Sequence, residues 1–343
     1  MSNIEEQSFL SIFVTGASRS GTTMMSRVLG NHSKILALNE LHYFGDLVDP
    51  YKEGGILGAE DSIGLAANLI ARQEKGIWGD GPEELEREIA ETIIGKTLAN
   101  TITGMDIYEK VVMYFAHESK KEGACEQTPR NIFYAKQLLD YYPSARVVHM
   151  LRDPRAVIAS QKNRWRLRKL SGKHVPISEV IRTWFNYHPF TMCRLWSRAT
   201  EAANALENHP RFMVLKFEDL VSDPSHHVSR VCHFLGVDFE ESMLDVPRWG
   251  SSNQDGNTGK KGITSDVQDA WKDILSVGEL NVVENRTGPF MDRLGYERHS
   301  SNKVRFVDTL VQYLRYPLHV LGVALSNPKR AWIQLRALIS GAK

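Results

Sequence analysis

The chain has 343 residues, with 42 lysines and arginines against 41 aspartates and glutamates, so its formal net charge is +1. The length permits one large α/β domain with insertions or two small ones, and the even charge balance provides no global field for a nucleic-acid partner. Cys125, Cys193 and Cys232 are too few and too scattered for a disulfide framework or a zinc site, the opening MSNIEEQSFL lacks a basic signal-peptide start, and no apolar run reaches the roughly 18 residues of a membrane span, so a cytoplasmic location is expected.

Leu10 to Thr15 is a short apolar run that predicts a strand ending at Gly16, and Met24, Met25, Val28 and Leu29 then recur at helical spacing. Ile35 to Leu38 predicts a second strand, which delivers Asn39-Glu40-Leu41-His42 at its carboxyl end. Residues 45–125, which contain the acidic run EELEREIAE, are expected to form an insertion over the active face. Arg130 to Tyr142 predicts a helix, Ala145 to Leu151 a buried parallel strand, and Pro154 the first turn of the next helix. A helical stretch over 177–207 with an interruption at Pro189, a strand over Arg211 to Phe217, and a turn and helix over Glu218 to Gly236 follow. This alternation predicts an α/β fold, a central parallel sheet flanked by helices with ligands outside the strands' carboxyl ends.

Gly16-Ala17-Ser18-Arg19-Ser20-Gly21-Thr22-Thr23 has the frame of a nucleotide-phosphate loop, but Thr22 stands where an ATP or GTP loop carries lysine. A glycine loop feeding a helix turns backbone N–H groups and the positive end of the helix dipole toward an anion. With Arg19 as the nearest cation, the loop suits one 5′-linked anion better than a magnesium triphosphate. A strand-to-helix turn with incidental glycines is the plainer alternative. Arg152 after the third predicted strand and Ser160 eight residues on could clamp a second phosphate, unless Arg152 and Asp153 simply pair at the strand end.

The ordered motifs SRSGTT, RDPRAVIAS, FEDLVSDP with CHFLGV, and KKG through WKDILS to FMDRLGYE resemble those of the sulfotransferases that use 3′-phosphoadenosine 5′-phosphosulfate (PAPS). The resemblance implies a P-loop nucleotide-kinase-like fold, a sulfotransferase domain over residues 1–300, and PAPS as co-substrate with no metal required. It implies that Arg19, Ser20, Gly21, Thr22 and Thr23 line the 5′-phosphosulfate site, that Arg152 and Ser160 bind the 3′-phosphate, and that Lys261 contacts a phosphate. Glu40 stands where the tyrosylprotein and heparan-type branches place their base. His42 is its nearest rival, and a Glu40–Arg19 ion pair is the structural alternative.

In two places the pattern departs from the family's. Gln127 occupies a position where relatives commonly carry a lysine, for which Arg130 is one candidate substitute, and Lys260-Lys261-Gly262 stands for an Arg-Lys-Gly. The acceptor is expected to be a hydroxyl, on a glycan or glycolipid first and on a tyrosine or small phenol second. The rival readings are a P-loop kinase or NTPase, against which the absent lysine argues, and a nucleotide-binding scaffold without activity.

Lys162, Arg164, Arg166, Arg168, Lys169 and Lys173 crowd twelve positions, either as a solvated helix face or as a receptor for an acidic acceptor. Residues 301–343 carry seven basic side chains against the single acid Asp308, and predict a basic amphipathic tail of two helices broken near Pro317 and Pro328. Docking on the protein's own core or in a homo-oligomer competes there with a peripheral membrane contact.

Overall fold

From Ser11 to Gly16 every residue of strand β1 (Leu10–Gly16) is buried, as a strand covered on both faces requires. The computed structural model describes residues 9–47, 55–77, 79–98, 102–164, 177–247, 261–263, 269–299 and 306–326. Helix α1 (Thr22–Gly30) and strand β2 (Ile35–Ala37) follow as predicted. The predicted insertion contains three helices, α2 (Ala59–Lys75), α3 (Glu84–Leu98) and α4 (Gly104–Glu118), and its last residues enter strand β3 (Gly123–Glu126), which the sequence reading missed. A 3₁₀ turn (Pro129–Tyr134) leads into α5 (Ala135–Tyr141) and strand β4 (Arg146–Leu151).

Beyond β4 come α6 (Pro154–Lys162), α7 (Ile177–Phe185) and α8 (Pro189–Asn204), the last starting at the predicted Pro189 break. Strand β5 (Phe212–Lys216) then precedes α9 (Phe217–Ser222) and α10 (Pro224–Leu235). The short α11 (Trp271–Ile274), α12 (Val277–Leu294) and α13 (Phe306–Ser326) complete the described chain.

The chain divides into two units, the first comprising Met1–Leu151, Ala202–Pro247 and Lys261–Ile263. It holds a five-stranded sheet in the order β2-β3-β1-β4-β5, and every pairing is parallel. Parallel strands end at one edge of the sheet, so the segments after β1, β2 and β3 emerge side by side. Ile12, Val14, Met25, Val28, Val148, Leu215 and Val231 are among the side chains of its core.

The second unit comprises Arg152–Glu201, Arg248–Lys260 and Thr264–Lys343. Its core joins Ile158 and Ala159 of α6 to Cys193, Trp271 and Val283. Ser276 and Glu279 form a capping box at the start of α12, and Glu279 also meets Lys162 Nζ at 2.6 Å and accepts from Tyr187 Oη at 3.0 Å. Burial pushes the Glu279 carboxyl up, but these donors hold it below its ordinary range. Lys162 is thereby bound into the unit, while Arg166, Arg168, Lys169 and Lys173 lie outside the described residues.

The predicted helix break at Pro317 does not occur, because α13 runs through it. Proline there removes only the bond to the Tyr313 carbonyl, and Pro317 is exposed, where water can satisfy that group. Pro328 lies outside the described residues. Among the described residues no helix is long and apolar enough to cross a membrane.

Candidate active site

The glycine loop leaves β1 and tightens at once, with Ser20 N donating to the Ala17 carbonyl at 3.0 Å. Arg19 takes a left-handed backbone (φ 80°), and Gly21 does the same (φ 96°) as N-cap of α1. A Cβ on Gly21 would stand 2.6 Å from Phe217 Cδ2, and one on Gly16 2.6 Å from the Met150 carbonyl oxygen, so both positions demand glycine.

No side chain caps α1, which leaves its first N–H groups without that satisfaction. Ser20 is fully buried, and its Oγ has no hydrogen-bond partner among the described residues. An anion on the helix N-terminus would supply acceptors to both, so these residues fit the phosphate end of the expected co-substrate. Thr22 is buried and Thr23 exposed.

The segment after β2 is held on three sides. Asn39 donates twice to Gln73, from its N to Oε1 at 2.8 Å and from Nδ2 to the carbonyl at 2.6 Å, and Arg72 Nη1 donates to the carbonyls of Leu41 (2.9 Å) and His42 (3.1 Å). From β3, Glu126 Oε1 accepts from Leu41 N at 3.0 Å, and Thr128 Oγ1 accepts from His42 N at 3.2 Å. Thus clamped, His42 has a left-handed backbone (φ 48°).

That clamp brings the two rival bases together: Glu40 Oε2 and His42 Nε2 meet at 2.8 Å. Gln127 Nε2 donates to the other carboxylate oxygen at 3.2 Å, and Gln127 Oε1 lies 3.5 Å from Thr23 Oγ1. A polar chain therefore runs from the first turn of α1 through Gln127 and Glu40 to His42. Arg130, the candidate substitute for the missing lysine, is instead paired with Asp46 at 3.3 Å, and Asp46 is 3.6 Å from His42 Nδ1.

Glu126 is the site residue that the sequence reading overlooked. Its buried carboxylate accepts from Leu41 N, from Thr128 Oγ1 and N, and from Asn131 Nδ2 at 2.7 Å. Burial pushes its carboxyl up, and these donors counter the effect. A glutamate closing the run GACE has no spacing to announce such a role.

The remaining expected nucleotide contacts have different settings. Lys261 is exposed in the first unit, its Nζ 2.6 Å from Asp245 Oδ2. In the second unit, Arg152 is buried and its carbonyl accepts from Trp196 Nε1 at 3.0 Å, and Ser160 is half-buried on α6. Asp153 pairs with Arg155 at 2.6 Å and caps α6 through Arg155 N at 2.8 Å, and Arg155 also lies 4.3 Å from the Trp271 ring centroid.

A family model described as "Sulfotransferase family" matches residues 11–241. The chain belongs to the sulfotransferase family. Its relatives include the omega-hydroxy-beta-dihydromenaquinone-9 sulfotransferase of Mycobacterium tuberculosis, 23% identical over 59% of this chain and 49% of that one. Carbohydrate sulfotransferase 4 of Mus musculus is 25% identical over 44% of this chain and 41% of its own, and protein-tyrosine sulfotransferase A of Caenorhabditis elegans is 23% identical over 68% and 51%. The chain spans about half the length of the curated relatives it matches.

Among solved structures, the sulfotransferase domain from the curacin biosynthetic pathway superposes with a TM-score of 0.51 at 16% identity, covering 85% of this chain and 99% of that one. That likeness shows a sulfotransferase fold, the P-loop-like α/β architecture anticipated from the motifs.

Proposed function

We propose that this protein transfers the sulfuryl group of PAPS to the hydroxyl of a carbohydrate or glycolipid. The co-substrate supplies an activated sulfuryl group: the acceptor oxygen bonds to sulfur as the sulfur–oxygen bond to the 5′-phosphate breaks, giving a sulfate ester and 3′-phosphoadenosine 5′-phosphate. Glu40 takes the acceptor's proton, with His42 fixing one carboxylate oxygen and Gln127 the other. The loop from Arg19 to Thr23 receives the 5′-phosphate end, with Arg19 as the cation at the leaving oxygen, where a well-placed donor is worth roughly 3–4 kcal/mol of barrier. Arg152 and Ser160 are assigned to the 3′-phosphate and Lys261 to a further phosphate contact.

The observation that carries this reading is the hydrogen-bonded pair Glu40–His42, tied through Gln127 to a phosphate loop that lacks the lysine of a triphosphate site. The named acceptors of the relatives, a hydroxylated quinone lipid, carbohydrate and protein tyrosine, all offer hydroxyl groups. Among these three, the protein-tyrosine relative aligns over the largest share of this chain, which keeps a tyrosine hydroxyl as the second acceptor reading.

Calorimetric titration without magnesium should show binding of 3′-phosphoadenosine 5′-phosphate and none of ATP. A screen of glycans, glycolipids and tyrosine peptides with labelled PAPS should then yield a labelled ester. Preference for magnesium ATP, or nucleotide binding with no transfer to any hydroxyl class, would overturn the proposal.

A further inference from the structure

Helix α13 is amphipathic in the opposite sense from a helix that covers a water-soluble core. Its inward side is polar and aromatic: Gln312 is buried, Thr309 Oγ1 accepts from Asn281 Nδ2 at 2.7 Å, His319 Nε2 is 3.0 Å from Thr191 Oγ1, and the Tyr316 ring lies 5.1 Å from that of His188. Gly322 lets α7 approach, since a Cβ there would stand 2.5 Å from Phe185 Cδ1.

The outward side is apolar. Val307, Val311, Leu314, Leu318, Leu321 and Leu325 recur every three or four residues, and Leu314, Leu318 and Leu325 are 66, 69 and 73% exposed. Ile177, Ile181 and Trp184 form a second exposed apolar row on α7, which packs against α13. A helix face serving only to cover the unit would turn its leucines inward. Two adjoining helices that both show apolar rows to solvent mark a contact surface.

Charge selects the occupant. In sequence, the basic residues Arg164, Arg166, Arg168, Lys169 and Lys173 precede α7, and Lys329, Arg330, Arg336 and Lys343, with no acid among them, follow α13, although the whole chain is nearly neutral. A second copy carries the same basic segments and offers them no opposite charge. An anionic bilayer accepts the leucines and attracts the basic flanks at once, and the exposed rings of Trp184 and Tyr313 suit its interface.

We infer that the apolar rows of α7 and α13 form a foot with which this protein docks on the surface of a membrane that contains anionic lipid, without spanning it. The inference stands apart from the sulfotransferase reaction and is tested without it. The full chain should co-sediment with phosphatidylcholine vesicles containing phosphatidylglycerol, and more weakly with phosphatidylcholine alone. The double variant Leu314→Glu/Leu318→Glu, at exposed positions, should lower the affinity for anionic vesicles at least tenfold while leaving 3′-phosphoadenosine 5′-phosphate binding unchanged. Failure of the wild type to bind anionic vesicles at low salt, or equal binding by the double variant, would overturn the inference. So would a concentration-dependent dimer in the ultracentrifuge that the double variant dissociates and vesicles do not compete for.

Discussion

Gln127 donates its side-chain amide to Glu40 Oε1 at 3.2 Å while its own oxygen faces Thr23 Oγ1 at 3.5 Å, so a neutral group bridges the phosphate loop and the proposed base. The lysine expected from the family pattern would place a charge at this point. Glutamine instead orients the carboxylate without adding a cation beside it. Removing that bond by Gln127→Ala should lower kcat about tenfold, the value of one hydrogen bond to a charged group, and leave 3′-phosphoadenosine 5′-phosphate affinity within about twofold. Steady-state kinetics beside calorimetry will separate the two effects, and an equal loss in both would remove Gln127 from an orienting role.

The pair of Glu40 and His42 predicts unequal consequences for its two members. Glu40→Gln keeps the shape and the contact to His42 but cannot take a proton, so transfer should fall roughly 10²- to 10⁴-fold with nucleotide binding intact. His42→Gln retains a hydrogen-bonding group toward Glu40 and should cost less. Single-turnover transfer of labelled sulfate measures both, and a larger loss for His42→Gln would assign the proton to the imidazole.

Glu126 accepts from Leu41 N, next to Glu40, which predicts a positioning role behind the proposed base. In Glu126→Gln an amide NH₂ would face some of the N–H and O–H groups that now converge on the carboxylate. Stability should drop by about 1–3 kcal/mol, and kcat should fall while nucleotide affinity holds. Urea unfolding and kinetics on the same preparation check this; a stability loss with unchanged kcat would make Glu126 structural only.

His149, buried in β4 with its Nδ1 3.2 Å from Thr15 Oγ1, predicts an acid limit on stability. Burial pushes its pKa from 6.5 down to about 3. The unfolded chain therefore takes up this proton near pH 6.5 and the folded chain only near 3, so the stabilisation is complete above that window and is lost as pH falls through it. The slope from this group is at most about 1.4 kcal/mol per pH unit. His149→Gln should flatten the difference between urea midpoints measured near neutrality and at about pH 5.

The strands β1, β4 and β5 and the loop after β1 were legible because each is an apolar run ending in glycine, Arg-Asp-Pro or a turn. Strand β3 was not: four residues, GACE, are too few to show a period, and they are strand because β1 and β2 pair with them on both sides. The segment that carries Glu40 and His42 was legible as Asn-Glu-Leu-His after a strand. The devices that fix it were not, since Arg72 and Gln73 come from a helix some thirty residues on and Glu126 from more than eighty. Pro317 misled in the other direction, because an exposed proline interrupts a helix's hydrogen bonding without ending the helix.

Arg19 and His42 share a left-handed backbone with only one other non-glycine among the described residues, Lys120. A chain selected for durability alone would put glycine or asparagine at both positions and relax the main chain there. On the roles proposed for Arg19 and His42, retaining these two side chains sets thermal tolerance against turnover. Selection for heat resistance without activity should therefore replace them early, and the survivors should melt higher and transfer less.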